Sequence, residues 1–186
     1  MMKRLLLILF SLFLLSLPCW AEESQLASVL AKLKQAAATT ETLTSDFQQE
    51  KLLAIFAEKL VSQGRFIYQK PDRLRWELLT PVSSGFILQG KQGVRWNGLS
   101  REQSKFSVEF DPIMGMIAQQ LLAWARIDLD WLQQRYRMEL LSNEPISLRL
   151  HPLDAGEAGF IDYLQILFAE DRSHLAEVLL QEQGGD

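Results

Sequence analysis

The spacing of hydrophobic positions changes near residue 46. Before it, apolar residues recur at intervals of three and four behind Ser24, a residue type that caps helices, so the pattern predicts an amphipathic helix. The predicted apolar face consists of Leu26, Val29, Leu30, Leu33 and Ala37. From Asp46 the period is two, and residues 60–68 alternate between an apolar and a polar face. We therefore expect a helix followed by a strand with one solvated side.

The same alternation resumes after the turn Lys70-Pro71-Asp72 and predicts a strand over residues 73–79. Shorter apolar segments, separated by turn residues such as Gly90 and Gly93, predict further strands. These segments are 86–88, 94–96 and 106–110. An antiparallel meander is the simplest arrangement of such neighbouring strands.

Two helix starts interrupt the strands. Asp111-Pro112 combines an N-cap acceptor with a proline at the first helical position, and Asp128 caps a second, shorter helix. Later strands are predicted at 137–141, 145–150, 160–170 and 174–183. The pattern therefore predicts a single α+β domain, in which one large antiparallel sheet has its helices on one side.

Residues 1–21 have the organisation of a secretory signal peptide. Lys3 and Arg4 precede an apolar run from 5 to 15, and Cys19 and Ala21 place small residues at −3 and −1 of a cleavage site. A permanent membrane anchor is the less favoured interpretation, because the run is short. Lipidation of Cys19 is also less favoured, because proline and leucine precede it instead of small residues. We expect an exported protein of residues 22–186 in the periplasm.

Cleavage after Ala21 leaves 165 residues, enough for one domain, and removes the only cysteine of the chain. The remaining 17 basic and 23 acidic residues give a net charge of −6. Nucleic-acid binding normally requires a basic surface, so this composition argues against it. The final Gly184-Gly185 resembles a hairpin turn without its return strand, which leaves an open edge or a missing last strand as the alternatives.

The polar residues give little support for catalysis. His151 and His174 have no metal-ligand spacing around them, and Ser84 is not in a nucleophile-elbow sequence. Asp128 and Asp130, two residues apart at a predicted helix start, fit capping better than acid–base chemistry. We therefore predict no enzymatic activity, no metal and no cofactor, with a lipid-modifying enzyme kept as a minor alternative.

Aromatic and aliphatic residues are the more informative set. Most of them fall on apolar faces of predicted elements, which is compatible with a packed core or with a cavity large enough for a lipid chain. The segment Leu52, Leu53, Ala54, Ile55 and Phe56 likewise has two interpretations. It is either a buried continuation of a strand or an exposed loop that contacts a membrane or a partner.

Several local motifs resemble those of the LolA-like family of lipoprotein carriers. They are residues 45–50 (SDFQQE), the spacing Ser62-x-Gly64-x-Phe66, residues 70–76 (KPDRLRW), Thr80-Pro81 and the turn at Gly90. The resemblance is compact over residues 45–96 and looser afterwards. It implies an open, incomplete antiparallel β-barrel, or half-barrel, whose hydrophobic cavity is covered by helices.

The resemblance also implies partners and site residues. The cargo would be an acylated lipoprotein or another acylated lipid, taken from an inner-membrane donor transporter and passed to an outer-membrane acceptor by a monomeric carrier. Lys70 occupies the position of an arginine that ties the helical cover to the barrel in the classical carrier. A lysine provides a point charge instead of a planar fork. The candidate cavity-lining residues are Phe47, Phe66, Leu74, Trp76, Phe86, Trp96, Met114, Ile117 and Leu121.

A membrane-anchored acceptor of the LolB type is the main alternative to a soluble carrier. It would share the fold and differ in keeping an acylated Cys19 as its first residue. The segment that includes Leu52, Leu53, Ile55 and Phe56 is the candidate contact with a membrane or partner. Its apolar character points toward a LolA-like paralogue that handles another acylated lipid.

Overall fold

The computed structural model describes residues 18–53 and 58–184. It begins with helix α1, Pro18–Ala38. The apolar face predicted for this helix is confirmed, because Val29, Leu30, Leu33 and Ala37 are all buried. Leu33 is fully inaccessible to solvent and belongs to the core that α1 forms with the four-stranded sheet.

Six antiparallel strands follow in a meander, each paired with its neighbour in sequence. Their bounds are β1 Thr42–Leu53, β2 Glu58–Gln69, β3 Arg73–Thr80, β4 Ser84–Gln89, β5 Gln92–Asn97 and β6 Glu102–Ser107. The last strand begins and ends earlier than the predicted segment 106–110, and Phe110 lies outside it and is 87% exposed. The turn after Ser107 instead leads into the cap of the next helix.

The β1–β2 hairpin is longer than the sheet to which it belongs. Pairing between β2 and β3 stops at Gln63, whereas β1 and β2 remain paired as far as Leu53 and Glu58. Residues 49–53 and 58–62 therefore form a two-stranded extension beyond β3, which we call the hairpin arm.

Helices α2, Pro112–Arg126, and α3, Leu129–Arg135, connect the two halves of the molecule. Both predicted caps are confirmed: the carboxylate of Asp111 accepts from the amide of Met114, and that of Asp128 accepts from the amide of Trp131, each at 3.0 Å. Ile127 links the helices in a left-handed conformation, with φ of 50°. Such a conformation is unfavourable for a β-branched residue, and here the buried side chain holds it in place.

The remaining strands form a second antiparallel sheet in the order β10-β9-β8-β7. Their bounds are β7 Tyr136–Asn143, β8 Ile146–Pro152, β9 Ile161–Phe168 and β10 Leu175–Glu182, with the short helix α4, Ala155–Ala158, between β8 and β9. The expectation of one large sheet is therefore wrong. Alternation within strands does not encode which strands pair, and α2 and α3 interrupt the meander.

Each sheet has its own hydrophobic core. The core of the four-stranded sheet includes α1, α3 and Ile127, whereas the core of the six-stranded sheet includes Met114, Ala118 and Ala125 of α2. The α+β class and the open, incomplete half-barrel are confirmed. Within residues 18–53 and 58–184, none of the helices has the length and apolar content needed to cross a membrane.

Candidate functional site

A cavity of about 1330 Å³ lies between the two sheets and is bordered by α2. Residues from β1–β6, α2, α3, the start of β7, α4, β9 and β10 line it. Pockets for ordinary small molecules are about 300–1,000 Å³. The cavity therefore has room for a larger ligand, and most of its lining is apolar.

Aromatic rings form one wall of the cavity. The rings of Phe47 and Trp76 stack with centroids 5.8 Å apart, and Trp76 lies 6.4 Å from Phe86. Strand register explains this row, because Phe66 pairs with Trp76 and Trp76 pairs with Phe86 across three neighbouring strands. Aromatic contacts of this kind add stability beyond the apolar area that they bury.

Gly64 makes room for the aromatic wall. It is the cross-strand partner of Phe47, and a Cβ at this position would lie 2.3 Å from Phe47 Cζ and 2.5 Å from the carbonyl oxygen of Glu77. The ring of Phe47 thus occupies the space of the absent side chain. A larger residue at 64 would displace the ring or the β3 backbone.

Helix α2 forms the second wall. Its buried face packs on the six-stranded sheet, and Gly115 lies so close to the turn after β6 that a Cβ there would be 2.8 Å from the carbonyl oxygen of Val108. At the N-terminus of the helix, Arg95 Nη1 lies 2.9 Å from the carboxylate of Asp111. Ile113 and Met116 are 67% and 61% exposed, so the helix leaves apolar surface outside this contact.

The open-edge strand β10 forms the opposite wall. Val178 and Leu180 line the cavity, and they pair with Ile166 and Leu164 on the buried face of β9. Leu179 pairs with Gln165 and belongs to the outer face. Leu180 is 46% exposed and Leu179 is 43% exposed, so these neighbours differ in the face they occupy and hardly in burial.

A polar cluster interrupts the apolar lining at the junction of α2, α3 and α4. The Tyr136 hydroxyl donates to Glu157 Oε1 at 2.6 Å and lies 3.3 Å from Gln120 Oε1. Burial, followed by the hydrogen bond to Glu157, raises the pKa of Tyr136. Arg135 Nη2 is 4.0 Å from Glu157 Oε2 and its guanidinium lies over the ring of Trp131. All five residues line the cavity.

The predicted lining residues come together around this cavity, apart from Leu74. The eight that line it are Phe47, Phe66, Trp76, Phe86, Trp96, Met114, Ile117 and Leu121. Leu74 is on the same strand face as Trp76 but is 2% exposed and belongs to the core beneath α2. Trp96 lies at the border of the cavity. It pairs with Gly85, and Arg75 Cζ lies 5.3 Å from the centroid of its ring on the outer face of the sheet.

Lys70 contacts the end of α1. Its Nζ donates to the carbonyl oxygen of Ala38 at 3.0 Å and to Glu41 Oε1 at 3.2 Å. A cation at a helix C-terminus satisfies a free carbonyl and interacts favourably with the helix dipole. These contacts join the turn after β2 to the C-terminal end of α1, whereas the resemblance implied a latch on the cavity cover.

The candidate partner segment lies at the tip of the hairpin arm. Leu52 is in β1 opposite Lys59 and is 48% exposed. The backbone of Leu53 continues the strand, opposite Glu58. Ile55 and Phe56 lie outside the described residues. The described part is therefore strand, and its Leu52 side chain is accessible.

Outside the cavity, an ionic row crosses the outer face of the six-stranded sheet. Arg65 Nε lies 2.7 Å from the carboxylate of Asp46, and Arg75 Nη2 lies 2.5 Å from that of Glu77. The hydrogen bond from Arg75 lowers the pKa of Glu77, whose side chain is only 11% exposed. The row lies on the outer face of the strands that carry the aromatic wall.

One group of residues has the composition of a hydrolase triad but not its arrangement. Ser173 Oγ lies 2.8 Å from both His174 Nδ1 and Asp171 Oδ1. In a catalytic triad the acid orients the histidine, whereas here the hydroxyl stands between acid and imidazole in a tight turn. Among the described residues, no cluster of acidic, histidine or cysteine side chains has the geometry of a metal site.

Sequence reasoning did not identify the polar cluster or the β10 wall. Tyr136 and Glu157 are 21 positions apart and have no shared motif, so only the fold brings them together. For β10, the alternation of residues 174–183 predicted the strand but did not show which of its faces would border a cavity.

The fold and the site together define an open half-barrel with an apolar ligand cavity. Residues 38–186 match the sequence family described as outer membrane lipoprotein carrier protein LolA. The chain belongs to the LolA family. No protein of curated function matches the sequence significantly.

Two solved structures are similar to the chain at low sequence identity. One is a chain from the structure of the CwlD amidase from Clostridioides difficile in complex with the GerS lipoprotein, at 12% identity and a TM-score of 0.40, covering 86% of this chain and 87% of that one. Another is a LolA superfamily protein from Nitrosomonas europaea, at 10% identity and a TM-score of 0.37, covering 86% of this chain and 73% of that one.

Proposed function

We propose that the protein is a periplasmic carrier that encloses the acyl chains of lipoproteins, or of another acylated lipid, during transfer toward the outer membrane. The observation that carries this proposal is the large apolar cavity between the two sheets. Family membership supports the same role. An inner-membrane donor and an outer-membrane acceptor would be its partners, and the predicted signal peptide would export it.

The physical requirement on such a carrier is to shield hydrocarbon from water. Burying a methylene group is favourable by about 0.8 kcal/mol, so a long acyl chain strongly favours the aromatic and aliphatic walls over solvent. Release then depends on an acceptor that binds the chain better or on a change in the cover. Helix α2 contacts both halves, so a change in the cover would alter its contacts with one of the two cores.

The chain offers a matched pair of variants to test the cavity. Leu180→Asp places a carboxylate on the cavity wall, whereas Leu179→Asp places one on the outer face of the same strand at nearly the same exposure. We expect Leu180→Asp to weaken binding of an environment-sensitive fluorescent fatty-acyl probe about tenfold or more, because a charge opposes desolvated hydrocarbon. Leu179→Asp should bind as the unmodified protein does.

Mass spectrometry of the protein purified from periplasm identifies the cargo and the mature N-terminus together. Acylated lipoproteins or lipids bound to a chain that starts at unmodified Glu22 are expected. A chain that starts at diacylated Cys19 would identify the anchored acceptor instead. No bound acyl group, together with no binding of the fluorescent probe, would exclude the carrier role.

A further inference from the structure

The cavity has a polar end next to the aromatic wall. Beyond Phe86, the cavity face of β4, β5 and β6 continues in polar side chains, because paired residues and residues two apart on a strand share a face. Five of them line the cavity, and we call them the polar rim: Ser84, Arg95, Asn97, Glu102 and Ser104. Ser84 is partly exposed and the other four are exposed, so a ligand can reach them.

The cationic residue of the polar rim already has partners. Arg95 Nε donates to Ser104 Oγ at 3.1 Å, and its Nη1 lies 2.9 Å from the carboxylate of Asp111. Asp111 offsets the guanidinium charge, so Arg95 adds little net positive charge to the rim. Arg101, the nearest cation along the turn, is not among the residues that line the cavity. The rim therefore lacks the excess positive charge that favours a phosphate group.

Other groups of the polar rim are available to a ligand. The Glu102 carboxylate and the Ser84 hydroxyl have no hydrogen-bond partner within residues 18–53 and 58–184. Asn97 Oδ1 accepts from the amide of Leu99 at 2.9 Å, which leaves the two Nδ2 hydrogens free in the described chain. Donors and acceptors thus lie side by side, with one carboxylate that no neighbouring cation contacts. Ligand hydroxyls fit this set, because a hydroxyl both donates and accepts.

We propose that the polar rim binds the hydroxyl groups of a glycerol- or sugar-type head group while the attached acyl chain lies along the aromatic wall. This rests on the proposed acyl-carrier function and favours, among acylated lipids, those with free hydroxyls. Ser84, Asn97 and Glu102 are consecutive cross-strand partners. Such partners have Cβ atoms about 4.5–5.5 Å apart, so a head group with neighbouring hydroxyls can contact two of them together.

The test compares competitors of equal acyl chain length against the fluorescent fatty-acyl probe: a monoacylglycerol, an acyl glucose ester, a methyl ester and a monoacylglycerol phosphate. We expect the monoacylglycerol or the glucose ester to displace the probe at concentrations about three- to tenfold below the methyl ester, the range that one or two hydrogen bonds provide. The stronger of the two identifies the source of the hydroxyls. The phosphate should not exceed the methyl ester, because its charge faces the Glu102 carboxylate.

Two variants of the polar rim change its charge in opposite directions. Glu102→Gln should reduce the hydroxyl preference, because a neutral acceptor forms a weaker hydrogen bond than a carboxylate, and should improve displacement by the phosphate about threefold. Asn97→Asp keeps an acceptor for the Leu99 amide but replaces the Nδ2 donors with a carboxylate. It should reduce the hydroxyl preference and weaken displacement by the phosphate. A general change in the cavity would not shift the phosphate in opposite directions.

The matched control is Glu109→Gln, which removes the same charge from the turn after β6. Glu109 pairs with Lys91 at 2.6 Å and is not among the residues that line the cavity. This variant should preserve every ratio between competitors. Urea unfolding adds a readout of folding, and all three variants should keep nearly the midpoint of the unmodified protein, because the changed side chains are exposed.

The polar rim would be overturned as a head-group site, with the carrier role intact, by equal displacement with the hydroxylated ligands and the methyl ester. A hydroxyl preference that is unchanged in both Glu102→Gln and Asn97→Asp would have the same meaning. Stronger displacement by the phosphate than by both hydroxylated ligands would contradict the choice of a neutral head group. Failure of the probe itself to bind would overturn the carrier role and the rim together.

Discussion

Glu77 illustrates how a single residue on the outer face supports the wall on the inner face. Its carboxylate is largely buried beside Arg75, and its backbone oxygen limits the space at Gly64, where the ring of Phe47 lies. The neighbouring residue on the strand is Trp76 of the aromatic wall. An ionic interaction on one side of the sheet and an aromatic stack on the other therefore depend on the same short stretch of β3.

This arrangement predicts a pH dependence at the residue scale. The pKa of Glu77 is lowered from its usual value of 4.5 by Arg75, so ionised Glu77 stabilises the folded protein at neutral pH. That contribution persists above about pH 4.5 and declines as the pH falls through the folded pKa. We expect Glu77→Gln to be less stable than the unmodified protein at pH 7, with the difference shrinking toward pH 3 in urea unfolding.

The control for this experiment is Glu102→Gln, a change at an exposed residue of β6. Its stability should follow that of the unmodified protein across the whole pH range. A difference for Glu77→Gln that stays constant, or that grows in acid, would contradict the role assigned to the Arg75 pair.

At the scale of elements, local sequence signals predicted much of the structure. The buried face of α1 and the caps at Asp111 and Asp128 depend on residues within a few positions of each other, so spacing and side-chain chemistry suffice to find them. The division into two sheets depends on long-range pairing. The contact of Lys70 with Ala38 joins positions 32 apart and had no local signal.

In the candidate site, too, the features that depend on local sequence were predictable and those that depend on long-range contacts were not. Aromatic residues on one strand face, such as Phe66 and Trp76, were recognisable from alternation alone. Leu74 follows the same alternation and is nevertheless covered by α2, because strand periodicity gives the face and not what packs against it. The polar cluster of Tyr136 and Glu157 was invisible in the sequence, because only the fold brings these two residues together.

Gly115 provides a test of how α2 is held. Alanine normally favours a helix over glycine by about 1 kcal/mol. At this position, however, a methyl group would lie 2.8 Å from the carbonyl oxygen of Val108. We expect Gly115→Ala to destabilise the protein in urea unfolding and to increase hydrogen exchange of α2 amides, because the helix must move away from β6.

Gln119→Ala is the comparison for that variant, since it changes an exposed residue of the same helix and improves helix propensity without a new contact. It should leave exchange unchanged. Increased stability of Gly115→Ala would show that α2 is not packed against β6 as closely as the structure indicates.

At the scale of the whole molecule, some core residues contribute to stability without lining the cavity. Leu33 is fully buried between α1 and the four-stranded sheet and is not among the residues around the cavity. We expect Leu33→Ala to lower the free energy of unfolding by about 2–5 kcal/mol, as large-to-small core changes do. Affinity for the fluorescent fatty-acyl probe should remain within about twofold of the unmodified protein under conditions where the variant is folded.

Leu180→Asp should show the opposite pattern, with weakened probe binding and a nearly unchanged urea midpoint, because its side chain is half exposed. Parallel loss of affinity and stability in both variants would show that stability and cavity binding are not separable.

The position of Ile127 has a mechanical consequence. Ile127 follows α2 and is buried in the core of the four-stranded sheet, whereas Met114, Ala118 and Ala125 along the helix belong to the core of the six-stranded sheet. The helix therefore packs on the six-stranded sheet along its length and joins the four-stranded sheet at its C-terminal end. An occupant that widens the cavity must change the angle between the two sheets or break the contact at Ile127, so filling and emptying are coupled to that angle.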